Sequence, residues 1–134
     1  MRTALLIGSL VTLANCASSS AEDVETAEAM LTHAVFFELE NDDPASVQAL
    51  IDGCYEYLAP HAGIVYFSAG ARHVEYQREV NDLGFDVALT IVFENTAAQD
   101  AYQVTEPHLK FIDEFNENWA SVRVFDSQAP AAAD

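Results

Sequence analysis

Two segments of this chain alternate with a period of two residues, and neither leaves a fully polar face. In Thr32–Glu40, His33, Val35, Phe37 and Leu39 point one way, and Thr32, Ala34, Phe36 and Glu38 the other. Phe85–Glu94 is a second such run, rich in β-branched and aromatic residues. A strand that is largely apolar on both sides must be covered on both sides. The chain's own helices can cover one face of a small sheet. The other face requires a partner.

The segments between these strands set the order of elements. Asn41–Pro44 reads as a turn and helix start, with Asp43 as N-cap and Pro44 at the first helical position. Val47, Leu50, Ile51, Cys54 and Leu58 then recur at helical spacing, until Pro60 and Gly63 end the helix. Ile64–Ala69 is the second strand, closed by Gly70, and residues 71–83 read as a polar connecting arm with room for a short helix. Asn95 or Thr96 caps a helix from Ala97 to Thr105. Glu106 precedes a proline and is biased away from helical geometry, so Pro107 starts a separate segment running to Asn116. Trp119–Asp126 is the fourth strand, and residues 127–134 read as a disordered tail. Strand, helix, strand, strand, helix, strand is the split βαβ, ferredoxin-like order of an α+β domain. Two copies packed sheet to sheet around a two-fold axis form a dimeric α/β barrel, which covers the second apolar face and the strand edges.

With 134 residues the chain supports one domain, placed at 31–126. The formal charge of −17 excludes a nucleic-acid partner and offers no attraction to an anionic lipid surface. Residues 1–21 read as a processing segment: Arg2, the apolar run Ala4–Leu13, then Ser18–Ser20. The run is too short to span a bilayer as a mature helix. Leu13-Ala14-Asn15-Cys16 resembles the bacterial lipobox, with Cys16 the lipidated residue, although Asn15 stands where a small residue is usual. Ser19-Ser20-Ala21 offers ordinary signal cleavage instead, and an uncleaved anchor is the third alternative. The expectation is therefore export, as a periplasmic, lipid-anchored or secreted protein that meets the membrane only through this segment. Residues 22–30 read as an acidic linker. Cys54 is then the one thiol of the domain, with no disulfide partner, and its place in an apolar helical pattern makes it a small buried hydrophobe. No Cys pair or His cluster has zinc spacing, and no metal or other cofactor is expected.

Several short motifs occur together: His33-Ala-Val-Phe-Phe, Gly63-Ile64 and Gly70 around the second strand, Gly84-Phe-Asp-Val-Ala-Leu, Tyr102 six residues before His108, and Val124-Phe-Asp126. Jointly they resemble the stress-responsive dimeric α/β-barrel family, often called Dabb, across the whole of 31–126. The resemblance implies the fold and a homodimer. One branch of the family is a plant polyketide cyclase that needs no metal or organic cofactor and uses a histidine and a tyrosine between helices and sheet. Those roles fall on His108 and Tyr102, with His33 and Trp119 at matching pocket positions. An imidazole can remove a proton beside a carbonyl, and a tyrosine hydroxyl can hold the oxygen where charge develops. The chain departs from the family at Thr105, where a first histidine of a His-Pro-x-His run is common, and at Val87, where many members have a histidine. Both departures make the pocket less polar and favour binding over catalysis.

Other readings of the same residues stand beside this one. His108, Phe111, Ile112 and Phe115 form a helical stripe, so His108 can be a core residue, a ligand contact or a catalyst. Tyr102 and Trp119 can be packing aromatics with satisfied polar ends, and His33 a structural residue or pocket wall. His61 and His73 have no partner visible in the sequence. Asp42-Asp43 and Asp113-Glu114 read as caps and a solvated face. The leading reading is an exported homodimer that binds a small apolar or aromatic ligand without chemistry. The alternatives are a cofactor-independent cyclase, isomerase or monooxygenase-like enzyme using His108 and Tyr102, and an assembly module with no ligand.

Overall fold

The computed structural model describes residues 28–130. The processing segment with Cys16, the linker up to residue 27 and the tail from 131 lie outside the described residues. The elements follow as β1 (Leu31–Leu39), α1 (Pro44–Gly53), a π-helical turn (Cys54–Leu58), β2 (Ile64–Ala71), β3 (Val87–Phe93), α2 (Thr96–Gln103), α3 (Glu106–Phe115), a short 3₁₀ turn and β4 (Trp119–Gln128). The four strands form one antiparallel sheet in the order β2-β3-β1-β4. This is the ferredoxin-like α+β arrangement, with β1 and β3 central and β2 and β4 at the edges.

Local chemistry explains the helix starts. Asp43 caps α1, its carboxylate accepting from the Ser46 N–H at 2.7 Å, and that bond holds its carboxyl below the ordinary range. Asn95, not Thr96, caps α2 by accepting from Ala98 N–H at 2.8 Å. α3 begins at Glu106, one residue before its proline. Thr105 takes the extended conformation as N-cap, and Glu106 and Pro107 fill the first turn, where missing N–H donors cost nothing. The expected long first helix changes at Cys54 into a π turn, closed by Ala59 N–H donating to the Cys54 carbonyl at 3.2 Å.

β1 sorts its side chains as the alternation predicts. His33, Val35, Phe37 and Leu39 are buried beneath the helices, together with Val87, Leu89, Ile91 and Phe93 of β3 and with Leu50, Cys54, Leu58, Tyr102 and Phe111. Cys54 is wholly buried, and burial pushes its thiol up to about 12, consistent with an inert packing role. α1 and α3 approach closely at Gly53, where a methyl group would collide with the Phe115 ring. On the opposite face Phe36 packs edge-on against Phe85 and Phe125, with centroids at 5.0 and 5.7 Å, and Phe125 is 55% exposed.

Two expectations are corrected. Residues 127 and 128 are not tail: β4 continues to Gln128, with Ser127 opposite Thr32 and Gln128 opposite Leu31, and Ala129 N–H donates to the Met30 carbonyl at 2.9 Å. Backbone pairing with the start of β1 holds this extension, and side-chain patterning cannot report backbone pairing. The arm after β2 contains no helix, and it exposes Val74, Tyr76 and Val80 as well as its charges. There His73 stacks on Tyr76 at 4.3 Å and Arg78 lies over the same ring.

Candidate ligand site between the helices and the sheet

A cavity of about 210 Å³ lies between α3, the end of α2 and the β1–β4 half of the sheet. His33, Tyr102, His108 and Trp119 all line it. Each arrives from a different element. Strand alternation points His33 inward from β1. The α2 periodicity turns Tyr102 inward until it is 2% exposed. His108 and Phe111 share the inner stripe of α3, and Trp119 opens β4. Phe37, Leu89, Val122 and Val124 supply much of the apolar wall.

The polar groups fall into two classes. His33 is tied: its Nδ1 lies 2.6 Å from Oδ1 of Asp126, its direct cross-strand neighbour. That contact fixes the ring and leaves Nε2 as its other face. Two other polar atoms are untied. Nδ1 of His108 and Nε1 of Trp119 are buried and have no hydrogen-bond partner among the described residues. The indole N–H can only donate. Burial lowers the basicity of His108 first, and nearby His33 and His61 add to this, while the backbone of Gln103 pulls the other way without closing a bond to Nδ1. His108 is therefore held neutral below its ordinary value. Burial is also the main cause that raises Tyr102 above its usual value of 10.0, so its hydroxyl keeps its proton at neutral pH.

Tyr102 sits among imidazoles: its ring centroid is 4.7 Å from that of His108, 4.9 Å from His61 and 6.3 Å from His33. The sequence offered His61 no partner. In the fold its Nδ1 lies 2.8 Å from the Leu58 carbonyl and its Nε2 2.8 Å from Oγ1 of Thr105. His73 remains in the arm and does not line the cavity. Val87 is fully buried in the core and does not line it either. Asp126 is the other residue whose role the sequence left unread. Antiparallel register alone pairs it with His33 across 93 positions, so counting along the β1–β4 pairing would have found it. His61 and Thr105 meet only because the turn after α1 folds against the α2–α3 junction, and no local pattern signals that. Among the described residues, no three His, Cys, Asp or Glu side chains gather as a metal-ligand set.

Residues 31–129 match the model of the stress responsive A/B barrel domain. The chain belongs to that family. The A/B barrel match reaches residue 129, in line with the longer β4. Among solved structures, a dabb family protein with a ferredoxin-like fold from Mesorhizobium loti is 18% identical, with a TM-score of 0.63 over 78% of this chain and 100% of that one. A dimeric ferredoxin-like protein of unknown function from Thermobifida fusca is 16% identical, with a TM-score of 0.61 over 78% and 95%. Hydroxynitrile lyase from Passiflora edulis is 17% identical, with a TM-score of 0.63 over 81% and 99%. At these identities the likeness is one of fold. No curated protein matches the sequence.

Proposed function

We propose that this A/B barrel protein binds a small, mainly apolar ligand carrying at least one hydrogen-bond acceptor, in the cavity beside His108 and Tyr102. One observation carries the reading: two residues that line the cavity, His108 and Trp119, each bury a side-chain nitrogen, Nδ1 and Nε1, that has no hydrogen-bond partner among the described residues. Leaving such groups unpaired costs about 1–3 kcal/mol each, and a carbonyl-bearing ligand removes part of that cost. The volume of about 210 Å³ falls below the ~300–1,000 Å³ of drug-sized sites, which points to a compact ring or short chain. Acetophenone and ethylbenzene test this as a matched pair. The protein binds acetophenone more tightly by about fivefold, the worth of one hydrogen bond. Trp119→Phe keeps the ring and abolishes the preference. Equal binding of the two probes by the parent, or no binding of either, overturns the reading.

A second reading is proton transfer at a carbon next to a carbonyl. The tied pair His33–Asp126 favours it, together with the lowered basicity of His108 and the retained Tyr102 proton. His108 would take the proton and Tyr102 would donate to the enolate oxygen. Exchange of the acetophenone methyl protons in D₂O, followed by NMR, separates this from binding alone. Retention of full exchange in His108→Gln would remove His108 from the role.

The assembly we infer is a homodimer packed through the Phe36, Phe85 and Phe125 face, in keeping with the dimeric neighbour from Thermobifida fusca. Export through residues 1–21, with or without lipid on Cys16, completes the proposal. Intact mass and fractionation of the protein from its native host test it: a cytoplasmic protein retaining Met1 overturns export, and lipid mass on Cys16 selects the lipoprotein form.

A further inference from the structure

Thr105 occupies the N-cap position of α3, yet its side chain makes no cap bond. A threonine there ordinarily accepts from a first-turn N–H, and losing that bond weakens the helix start. Here the hydroxyl is diverted. It lies 2.8 Å from the Tyr102 carbonyl and 2.8 Å from Nε2 of His61. His61 in turn reaches the Leu58 carbonyl with Nδ1 at 2.8 Å, at the end of the π turn, and packs its ring edge-on against Tyr102 at 4.9 Å. One imidazole thus joins the end of the first helix to the junction of α2 and α3, behind two residues that line the pocket.

We propose that His61 is a positioning residue of the pocket: its ring fixes the Thr105 hydroxyl, and through it the relation of Tyr102 to His108, and its protonation decides which neighbour that hydroxyl faces. Counting hydrogens gives the device. A carbonyl only accepts, so Nδ1 of His61 carries a hydrogen toward Leu58. On the neutral ring Nε2 is an acceptor, and the Thr105 hydroxyl donates to it. The Tyr102 carbonyl then keeps only backbone donors, among them Thr105 N–H at 3.2 Å. When Nε2 gains a proton it donates to the Thr105 oxygen, and the hydroxyl hydrogen turns to the Tyr102 carbonyl. Both 2.8 Å contacts are bonds at once only in that second state. A charge on His61 also opposes one on His108, in the direction already seen in the lowered basicity of His108. Among the described residues, the ionisable groups set against His61 are Tyr102 from α2 and His108 from α3; behind them Cys54 acts on Tyr102 and His33 on His108, and Glu94 lies beside Gly63, two residues on.

The proposal rests on the pocket reading above, and its test needs no ligand. Histidine-selective NMR on the full chain follows the His108 titration and the Tyr102–His108 ring contacts by NOE, with His108→Gln assigning the signal. His61→Phe keeps a packed ring and removes both hydrogen bonds and the charge. It shifts the His108 midpoint upward and weakens the Tyr102–His108 NOE. Thr105→Val weakens the same NOE, and Thr105→Ser restores it. If His61→Phe does not fold, the two Thr105 variants carry the test. A change in melting temperature alone, with the His108 titration and the NOE as in the parent, overturns the proposal. Failure of the acetophenone experiment with these results in hand would sink the pocket's ligand and not the role of His61.

Discussion

Phe36 and Phe37 are adjacent in β1 and inhabit different worlds. Phe37 is 2% exposed and lies among Phe111 and Trp119, with centroids at 6.2 and 5.1 Å, under the chain's own helices. Phe36 faces the other way, into an aromatic group that the described chain leaves open. The helix side holds the His33–Asp126 pair and the untied polar atoms of the cavity. The open side holds aromatic rings and one ion pair, Arg123–Asp82 at 2.7 Å. One strand therefore faces two ways by period-two alternation: its inward residues line the cavity, and its outward residues, in the assembly proposed above, meet a second copy.

The largest expected effect tests that division directly. Phe37→Ala removes a fully packed ring and costs about 3–5 kcal/mol of unfolding free energy. Phe36→Ala leaves the protomer's own core intact and instead weakens association by about 2 kcal/mol, roughly thirtyfold in the dissociation constant. Urea denaturation at several protein concentrations, with sedimentation at each, distinguishes the two. The Phe36 variant dissociates at higher protein concentration, and its loss of stability disappears once the parent is dissociated too, whereas the Phe37 variant loses stability at every concentration. Equal behaviour of the two would mean that the open face is not an association surface.

How far the sequence could be read follows the same line between local and non-local. Alternation in β1 and β3 and capping at Asp43 and Asn95 are properties of neighbours in the chain, and they placed the four strands and the helices. The inward turn of His33, Tyr102, His108 and Trp119 came from periodicity plus family resemblance, and the fold gathers all four. Asp126 needed the β1–β4 register. His61 and Thr105 needed a contact over 44 positions. The Gln128 end of β4 needed backbone pairing that has no side-chain pattern. What was illegible is what depends on two segments meeting.

The two faces each carry one pair of opposite groups, and they should respond unequally. Asp126→Ala strands the nearly buried Nδ1 of His33 and costs about 1–3 kcal/mol. Arg123→Ala breaks a pair whose side chains are 38% and 59% exposed to screening solvent, so in the monomer it costs little. It does release the Asp82 carboxyl, which its hydrogen bonds to Arg123 hold below the ordinary range. Double-mutant cycles on a dissociated background measure both. A larger coupling for Arg123–Asp82 than for His33–Asp126 would invert the comparison, and would place the better-ordered polar chemistry on the open face.

The smallest effect is a pH slope confined to the helix side. Burial holds His108 below its ordinary value of 6.5 in the folded protein. Above that pH the ring is neutral whether the chain is folded or not, and it contributes no pH dependence. As pH falls below 6.5, the unfolded chain takes up a proton that the folded chain refuses, so stability declines until the folded value is passed and the loss levels off. The carboxyls of Asp43, Asp82 and Glu106 are shifted the same way, but from 3.8, 3.8 and 4.5, so their losses come at more acid pH. His108→Leu should therefore flatten the stability profile just below pH 6.5 and leave the acid limb unchanged. Thermal melts of parent and variant across that range read the difference. Parallel profiles would mean that water reaches His108 freely, and the contrast between a closed face and an open one would then hold for the apolar core alone, not for the site.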